Sequence, residues 1–404
     1  MRQHPENATR RATMHRSLRR RPRALLAHVG LVVSCVAVLP GSAGATGGSA
    51  PSVSVIASGL NMSWGIDRGP WPGSVLVAES GSGDVLKVWD GGQWTVGSPG
   101  LGVTDVGLGW WDVSYVIGLT EDGSPGNVLG RVQWDGTVTV DADLGAYEEA
   151  NNPDQDQVYG IVDPPAGCDV PEELLGYNGI VDSNVYSVEV LPNGWRLVAD
   201  AAGNDILLVD HEGNISVVAV LPPVPKILPA ELMGDEGPIP LPPCLVGATY
   251  ISEPVPTSVV KGPDGWIYVS GLTGQPELPG SGVVFRVNPW TGESTIWQDG
   301  LTTAGDIAFD GQGRLYVTEV FGGTGPTSET PGALVRINTK WGANGLQPTG
   351  IETIATGEDG VITPLGVTVD EHGNVYVSVK SLPLGPPDSG PPPATGEILR
   401  FSGL

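Results

Sequence analysis

Six times between Trp64 and Phe401 the chain repeats one short unit, and few architectures can accommodate such a repeat. Each unit is centred on an apolar pair ending in valine: Leu76-Val77, Tyr115-Val116, Leu197-Val198, Tyr268-Val269, Tyr316-Val317 and Tyr376-Val377. Five of the six pairs follow a tight turn rich in Gly, Asn or Asp, such as Pro192-Asn193-Gly194 or Asp370-Glu371-His372-Gly373; the second uses Trp110-Trp111-Asp112. A third short strand comes after each pair, as in Val284-Phe285-Arg286-Val287 and Leu334-Val335-Arg336-Ile337. Supersecondary units repeated every few tens of residues specify a propeller, a solenoid or an array. Units of four short antiparallel strands favour the propeller. The 60 glycines, 37 prolines and 40% apolar content suit a turn-rich all-β protein with a real core. No long segment carries helical periodicity.

The expected fold is therefore an all-β, six-bladed β-propeller of four-stranded antiparallel blades over residues 46–404. Inner strands such as Asp105-Val106-Gly107-Leu108 and Asp306-Ile307-Ala308-Phe309 are apolar runs because neighbouring blades cover both faces. The last repeat stops after its third strand, Ile398 to Phe401. Val53 to Ala57 is expected to supply the missing outer strand and close the ring without a free edge. Strand polarity then sorts the connections. Turns joining first to second and third to fourth strands lie on one side of the disc and read as short. The other connections hold the insertions 145–183, 222–255, 271–282, 321–332 and 381–396 on the opposite, loop-rich side. Function concentrates on loops held by a rigid scaffold, so this side is the expected functional face. Cys168 and Cys244 fall in insertions that lead into adjacent blades. A disulfide between them is expected, and by chain entropy would contribute on the order of 3–4 kcal/mol.

Residues 1–45 read as a secretory signal. Eight arginines lie between Arg2 and Arg23, an apolar run extends from Ala24 to Leu39, and Ala43-Gly44-Ala45 supplies small residues for cleavage. Without this segment the chain keeps 12 basic and 44 acidic residues, a net charge of −32. Phosphate backbones would be repelled, which excludes nucleic acid as a partner. The expected protein is a monomer, secreted or in the cell envelope, with no membrane span after cleavage and with a small ligand or an extracellular protein as partner. Lys87, Arg131, Arg286, Arg336 and Arg400 share one column of the third strand, where each is expected to cover its blade and pair with a neighbouring acid.

Several segments resemble the ScyD/ScyE family of exported bacterial propellers. They are Ala146-Tyr147-Glu148-Glu149-Ala150-Asn151-Asn152-Pro153-Asp154, Asp182-Ser183-Asn184-Val185-Tyr186, Ala199 to Asp205, and Val255 to Val260. The resemblance covers roughly 52–404 and implies six blades. It implies no reaction, because it brings no catalytic residues with it. Asp200 to Ile206 is also similar to an NHL-repeat loop. The Pro-rich insertion around Pro222–Pro256 departs from the family's pattern and puts a pigment-pathway role in doubt.

Catalysis by imidazole looks excluded. His4, His15 and His28 precede the mature chain, and His211 and His372 sit in turns on the side opposite the long loops. Carboxylates remain. Glu79, Asp200 and Glu319 stand two residues beyond the core valines of blades 1, 3 and 5. Asn184, Thr257 and Asp306, with Asp105, begin inner strands on the same side, and Asn204 follows Asp200 in its loop. Asn184, Asp200, Asn204, Thr257 and Asp306 are the candidate ligand-binding residues. Glu79, Asp200 and Glu319 are the candidate metal ligands, with Ca²⁺ the cofactor such oxygens would take. The competing reading has Glu79 and Asp200 tying their own Gly-rich loops to backbone N–H groups. Asn151, Asn152 and Asp154 divide likewise between a metal loop and the end of a short helix, Ala146 to Ala150. Exposed Trp290 and Trp341 divide between loop covering and sugar stacking. The reading that results is a non-catalytic exported propeller binding through its loop-rich face; the alternative is a divalent-metal hydrolase or lyase using channel carboxylates.

Overall fold

The computed structural model describes residues 52–118, 126–230, 241–322, 332–382 and 394–404; the expected signal segment and most of the 321–332 and 381–396 insertions lie outside them. Six four-stranded antiparallel sheets form, in each of which sequence order is spatial order except at the closure. Blade 1 comprises Ser63–Arg68, Ser74–Glu79, Asp84–Trp89 and Gly92–Gly97. Blade 2 comprises Val103–Leu108, Asp112–Ile117, Val128–Gln133 and Val138–Asp143. Blade 3 comprises Val185–Val190, Arg196–Asp200, Asp205–Val209 and Ile215–Val220. Blade 4 comprises Pro256–Lys261, Ile267–Gly271, Gly282–Val287 and Ser294–Leu301. Blade 5 comprises Ala304–Phe309, Leu315–Glu319, Ala333–Gly342 and Gly345–Thr356. Blade 6 comprises Val367–Val369, Val375–Val379 and Gly396–Ser402, completed by Ser52–Leu60.

That last strand comes from the other end of the chain. Ser52 faces Ser402, Val53 faces Phe401 and Leu60 faces Gly396. The expected closure is present. First strands of consecutive blades touch one another all the way round, so they line the axis.

The core is six separate apolar seams, one between each pair of blades. Leu76, Ala78 and Val85 meet Val106, Tyr115 and Val132 between blades 1 and 2. Ile66, Val75 and Val77 meet Tyr376 and Ile398 where the ring closes. The repeated apolar pair explains this arrangement. Successive side chains of a strand point to opposite faces, so each pair feeds both of its seams. Tyr115, Tyr268, Tyr316 and Tyr376 are at most 1% exposed, and a buried aromatic ring of this size contributes about 2 kcal/mol. Two of their hydroxyls also hold a turn: Tyr268 donates to Asp264 at 2.9 Å and Tyr376 to Asp370 at 3.0 Å.

Two expectations need correction. The third-strand column pairs with acids in four blades, but Lys87 does not. Arg131 meets Asp141 at 2.6 Å, Arg286 Asp264 at 2.8 Å, Arg336 Glu352 at 2.8 Å and Arg400 Asp90 at 3.8 Å. Lys87 instead places its ammonium 3.5, 4.7 and 5.4 Å from the ring centres of Trp71, Trp94 and Trp89. Three indole faces replace a carboxylate as the cation's partner. The turn side is also not uniformly plain. In blade 5 the third and fourth strands run on to Gly342 and Gly345, a hairpin that leans across blade 4. Trp297 of blade 4 donates to Leu346 O at 2.9 Å, and Leu346 N donates to Asp264 at 3.0 Å.

Candidate functional site

On the loop-rich side the two largest described insertions, between blades 2 and 3 and between blades 3 and 4, fuse into a cap. Val158–Tyr159 pairs with Tyr177–Asn178, and Val224–Ile227 pairs with Thr249–Ser252. Gly160 bridges to Ile251, joining the two hairpins. Cys168 and Cys244 form the expected disulfide, with Cα atoms 5.7 Å apart. Beneath lies a seventh small core of Ile161, Leu174, Leu228, Leu245 and Tyr250. The cap exposes apolar side chains among its acids: Val162, Ile180 and Val181 are each 53% exposed and Ile227 is 61% exposed, alongside exposed Asp163, Asp169, Glu172 and Glu173.

The three candidate metal carboxylates share one structural job. Glu79 accepts from Asn61 N at 2.6 Å, Asp200 from Asn184 N at 2.7 Å and Glu319 from Thr302 N at 2.7 Å. Each acid at the end of a second strand thereby holds the loop that enters its blade. Asp200 also accepts from Ser183 Oγ at 2.5 Å and from Gly203 N at 3.0 Å. The candidates sit on three different blades, and the structure does not gather them. Among the described residues, no three histidine, cysteine, aspartate or glutamate side chains form a ready metal-ligand set.

The candidate ligand-binding residues divide. Asn204 is fully buried, donating to Asp154 at 3.0 Å and accepting from Val255 N at 3.2 Å. Thr257 is buried and spans blades 4 and 5, donating to Gly305 O at 2.8 Å. Asp200, already described, is 1% exposed. Asn184 and Asp306 are only half-buried.

Asp306 belongs to a lining of channel acids that the sequence reading caught in part. Asp67, Asp105 and Asp306 each accept from the backbone N–H of the next residue and from the inner strand of the next blade. The cross-blade donors are Leu108 N at 2.7 Å, Val188 N at 2.9 Å and Val367 N at 2.7 Å. These carboxylates therefore lace inner strands together. Burial pushes all three up in pKa, and in Asp105 the charge of Asp306 adds to it. Glu189 is raised to about 8, by burial first and then by Asp67. Nearer the loop-rich mouth, Trp64 and Tyr186 bring their rings to 5.3 Å. Asp67 and Glu189 were legible in principle, since they continue the two-residue period of inward-facing positions from Gly65 and Ser187.

The more unusual acids lie off the axis. The helix Leu144–Asn151 is capped by Asp143, which accepts from Ala146 N at 2.8 Å, and ends at Asn152 in the left-handed region. It spans two residues more at its start than expected, and one more at its end. Leu144 plugs the seam between blades 2 and 3, beside Val198 and Leu207. Asp200 and Asp205 face each other across the hairpin of blade 3, on the same side as Val198 and Leu207. Glu148, Asp154, Asp200 and Asp205 are each at most 3% exposed. Both oxygens of Asp205, Oε1 of Glu148 and Oδ1 of Asp154 have no hydrogen-bond partner. Burial, then Asp200 and Asp154, pushes Glu148 up to about 8, and burial, then Asp200, Glu148 and Asp154, raises Asp205 well above its ordinary value. Burial and mutual repulsion both disfavour the charged forms here, most of all at Glu148 and Asp205, which have unbonded oxygens. Sequence reasoning missed Glu148 and Asp205. The available signal was the pairing register, which sets the residue ending a second strand opposite the one beginning the third.

His211 and His372 lie on the turn side. A side chain at Gly194, in the first turn of blade 3, would strike the His211 ring at 2.7 Å. His372 lines a shallow groove with Arg68, Asp310 and Leu404.

The architecture defines the class: a six-bladed β-propeller. No family model matches the sequence, and no curated protein matches it. Solved structures do. A protein of unknown function from Bacteroides thetaiotaomicron is 13% identical, with 87% of this chain and 76% of that one covered at a TM-score of 0.51. A putative glucose dehydrogenase from Thermus thermophilus is 17% identical, with coverage of 87% and 99% and a TM-score of 0.52. A luciferin-regenerating enzyme is 10% identical, with coverage of 88% and 96% and a TM-score of 0.50. Likeness at this level of identity establishes the fold alone.

Proposed function

We propose that this chain is an exported, non-catalytic propeller of the ScyD/ScyE type that binds a partner protein through the capped, loop-rich face. The observation that carries the reading is the cap itself. Two long insertions are stitched by a disulfide, a strand bridge and a private core, and they spend that rigidity on presenting apolar side chains to solvent. Exposed apolar surface on a rigid support is the usual mark of an interaction site. Two further features support it. Both described imidazoles lie on the far side, and the channel carboxylates are committed to backbone N–H groups.

The test is to recover the protein from the extracellular fraction of its own host and measure its mass. Wild type should run as a stoichiometric complex, and the double variant Ile180→Asp with Ile227→Asp as a monomer with an unchanged melting point. If wild type is itself a monomer, or if it hydrolyses a lactone with turnover that needs Asp105 or Asp306, the reading fails.

A further inference from the structure

The extended hairpin of blade 5 gives the turn side a feature that no other blade has among the described residues. Trp341 rides on it with 63% of its surface exposed, and its tip, Asn344-Gly345, reaches over the turn of blade 4. Together they wall a groove of about 920 Å³ whose opposite side carries Trp266, Arg286 and Glu293. That volume suits a small molecule. Its floor is fixed. The Arg286 guanidinium stacks 3.9 Å from the centre of the Trp266 ring and pairs with Asp264 at 2.8 Å. Asp264 in turn accepts from Tyr268 and from the hairpin at Leu346 N. Arg286 is only 7% exposed, so its guanidinium forms a rigid part of the groove wall.

We propose that this groove binds a neutral saccharide, with one pyranose ring lying on Trp341 and its hydroxyls bonded to the polar wall opposite. The residue types match that ligand. A sugar ring has an apolar C–H face, which needs a flat apolar platform, and an edge of hydroxyls, which need both donors and acceptors. Trp341 supplies the platform; Arg286 and Asn344 supply donors, Glu293 an acceptor. Charge argues against anions. Asp264 already neutralises Arg286, the groove adds the carboxylate of Glu293, and the chain carries a net −25. The site is on the side away from the cap and stands independently of the function proposed above.

Tryptophan fluorescence titrations with maltohexaose, cellohexaose and chitohexaose test it. At least one of these should shift the emission saturably. Trp341→Ala should weaken that binding at least tenfold, and Trp341→Phe less. Trp111→Ala, which removes an 83% exposed ring from the turn of blade 2, should leave it unchanged. All variants should melt with wild type, because both rings are on the surface. The proposal is overturned if none of the three sugars binds, if Trp341→Ala binds as wild type does, or if phosphatidylcholine vesicles shift the emission where sugars do not.

Discussion

Replacing Asp205 by asparagine should stabilise this protein, and the gain should grow with pH. The carboxylate is 1% exposed, neither oxygen is bonded, and burial, then Asp200, Glu148 and Asp154, raises its pKa well above 3.8. A group whose folded pKa exceeds its unfolded value binds its proton more tightly when folded. It costs nothing while both states are protonated, and stability falls as pH climbs from the unfolded value toward the folded one. Glu148 gives the scale. Its displacement from 4.5 to about 8, at about 1.4 kcal/mol per tenfold change in proton affinity, corresponds to on the order of 5 kcal/mol once the pH exceeds both values. Relaxation and water penetration reduce such costs, so about 1–3 kcal/mol is the expected gain for Asp205→Asn near pH 8.5. The amide keeps the shape, removes one charge and can donate to the unpaired oxygens of Glu148 or Asp154. Near pH 5, closer to the unfolded-state value, the difference should shrink severalfold. Urea unfolding of both proteins across this range, in EDTA, measures it. If the variant is weaker than wild type at every pH, the carboxylate is ionised and compensated, and the reasoning is wrong. A wild-type advantage that appears only with added Ca²⁺ would assign the compensation to an ion.

Other perturbations follow from the scaffold. Deleting residues 52–60 removes the outer strand of blade 6 and should abolish cooperative melting; an unchanged transition would refute the closure. Cys168→Ser with Cys244→Ser opens a loop spanning 76 residues and should lower stability by about 4 kcal/mol, read as a fall in the unfolding midpoint that reduction of wild type reproduces. Lys87→Met keeps the stem but not the charge, so losing the indole contacts should cost about 1 kcal/mol in urea; a stabilised variant would show that the Lys87 ammonium gains less from the rings than it loses in desolvation. Asp306→Ala should cost about 2 kcal/mol, because Val367 N and Ser258 Oγ lose their acceptor between neighbouring blades. No change there would mean that water replaces the carboxylate.

The parts of this molecule that were legible are those set by local periodicity. The valine pairs mark second strands, their spacing gives six blades, and strand polarity alone puts Cys168 near Cys244. The closure by the N-terminal strand followed from counting strands in the last repeat. What escaped depends on packing between distant segments. Glu148 and Asp205 lie 57 positions apart and meet only because a helix docks over one seam. Lys87 matches its column in sequence, but the turn bearing Trp71 supplies rings where other blades supply an acid. The blade 5 hairpin did leave a trace, since Asn344-Gly345 between two extended runs is a strong hairpin signal, and Gly345 does take a φ of +90°. It was overshadowed by the expectation that turns on that side are short.

The disulfide brackets blade 3 completely. A pulling force applied to the two ends of the chain would travel through the sulfur atoms and bypass everything between Cys168 and Cys244. Those residues would remain slack while the other blades peel away, withholding about 25 nm of contour length until a reductant arrives. Under tension, then, this molecule would behave as a chain with one protected module, and its extension would report the redox state of its surroundings.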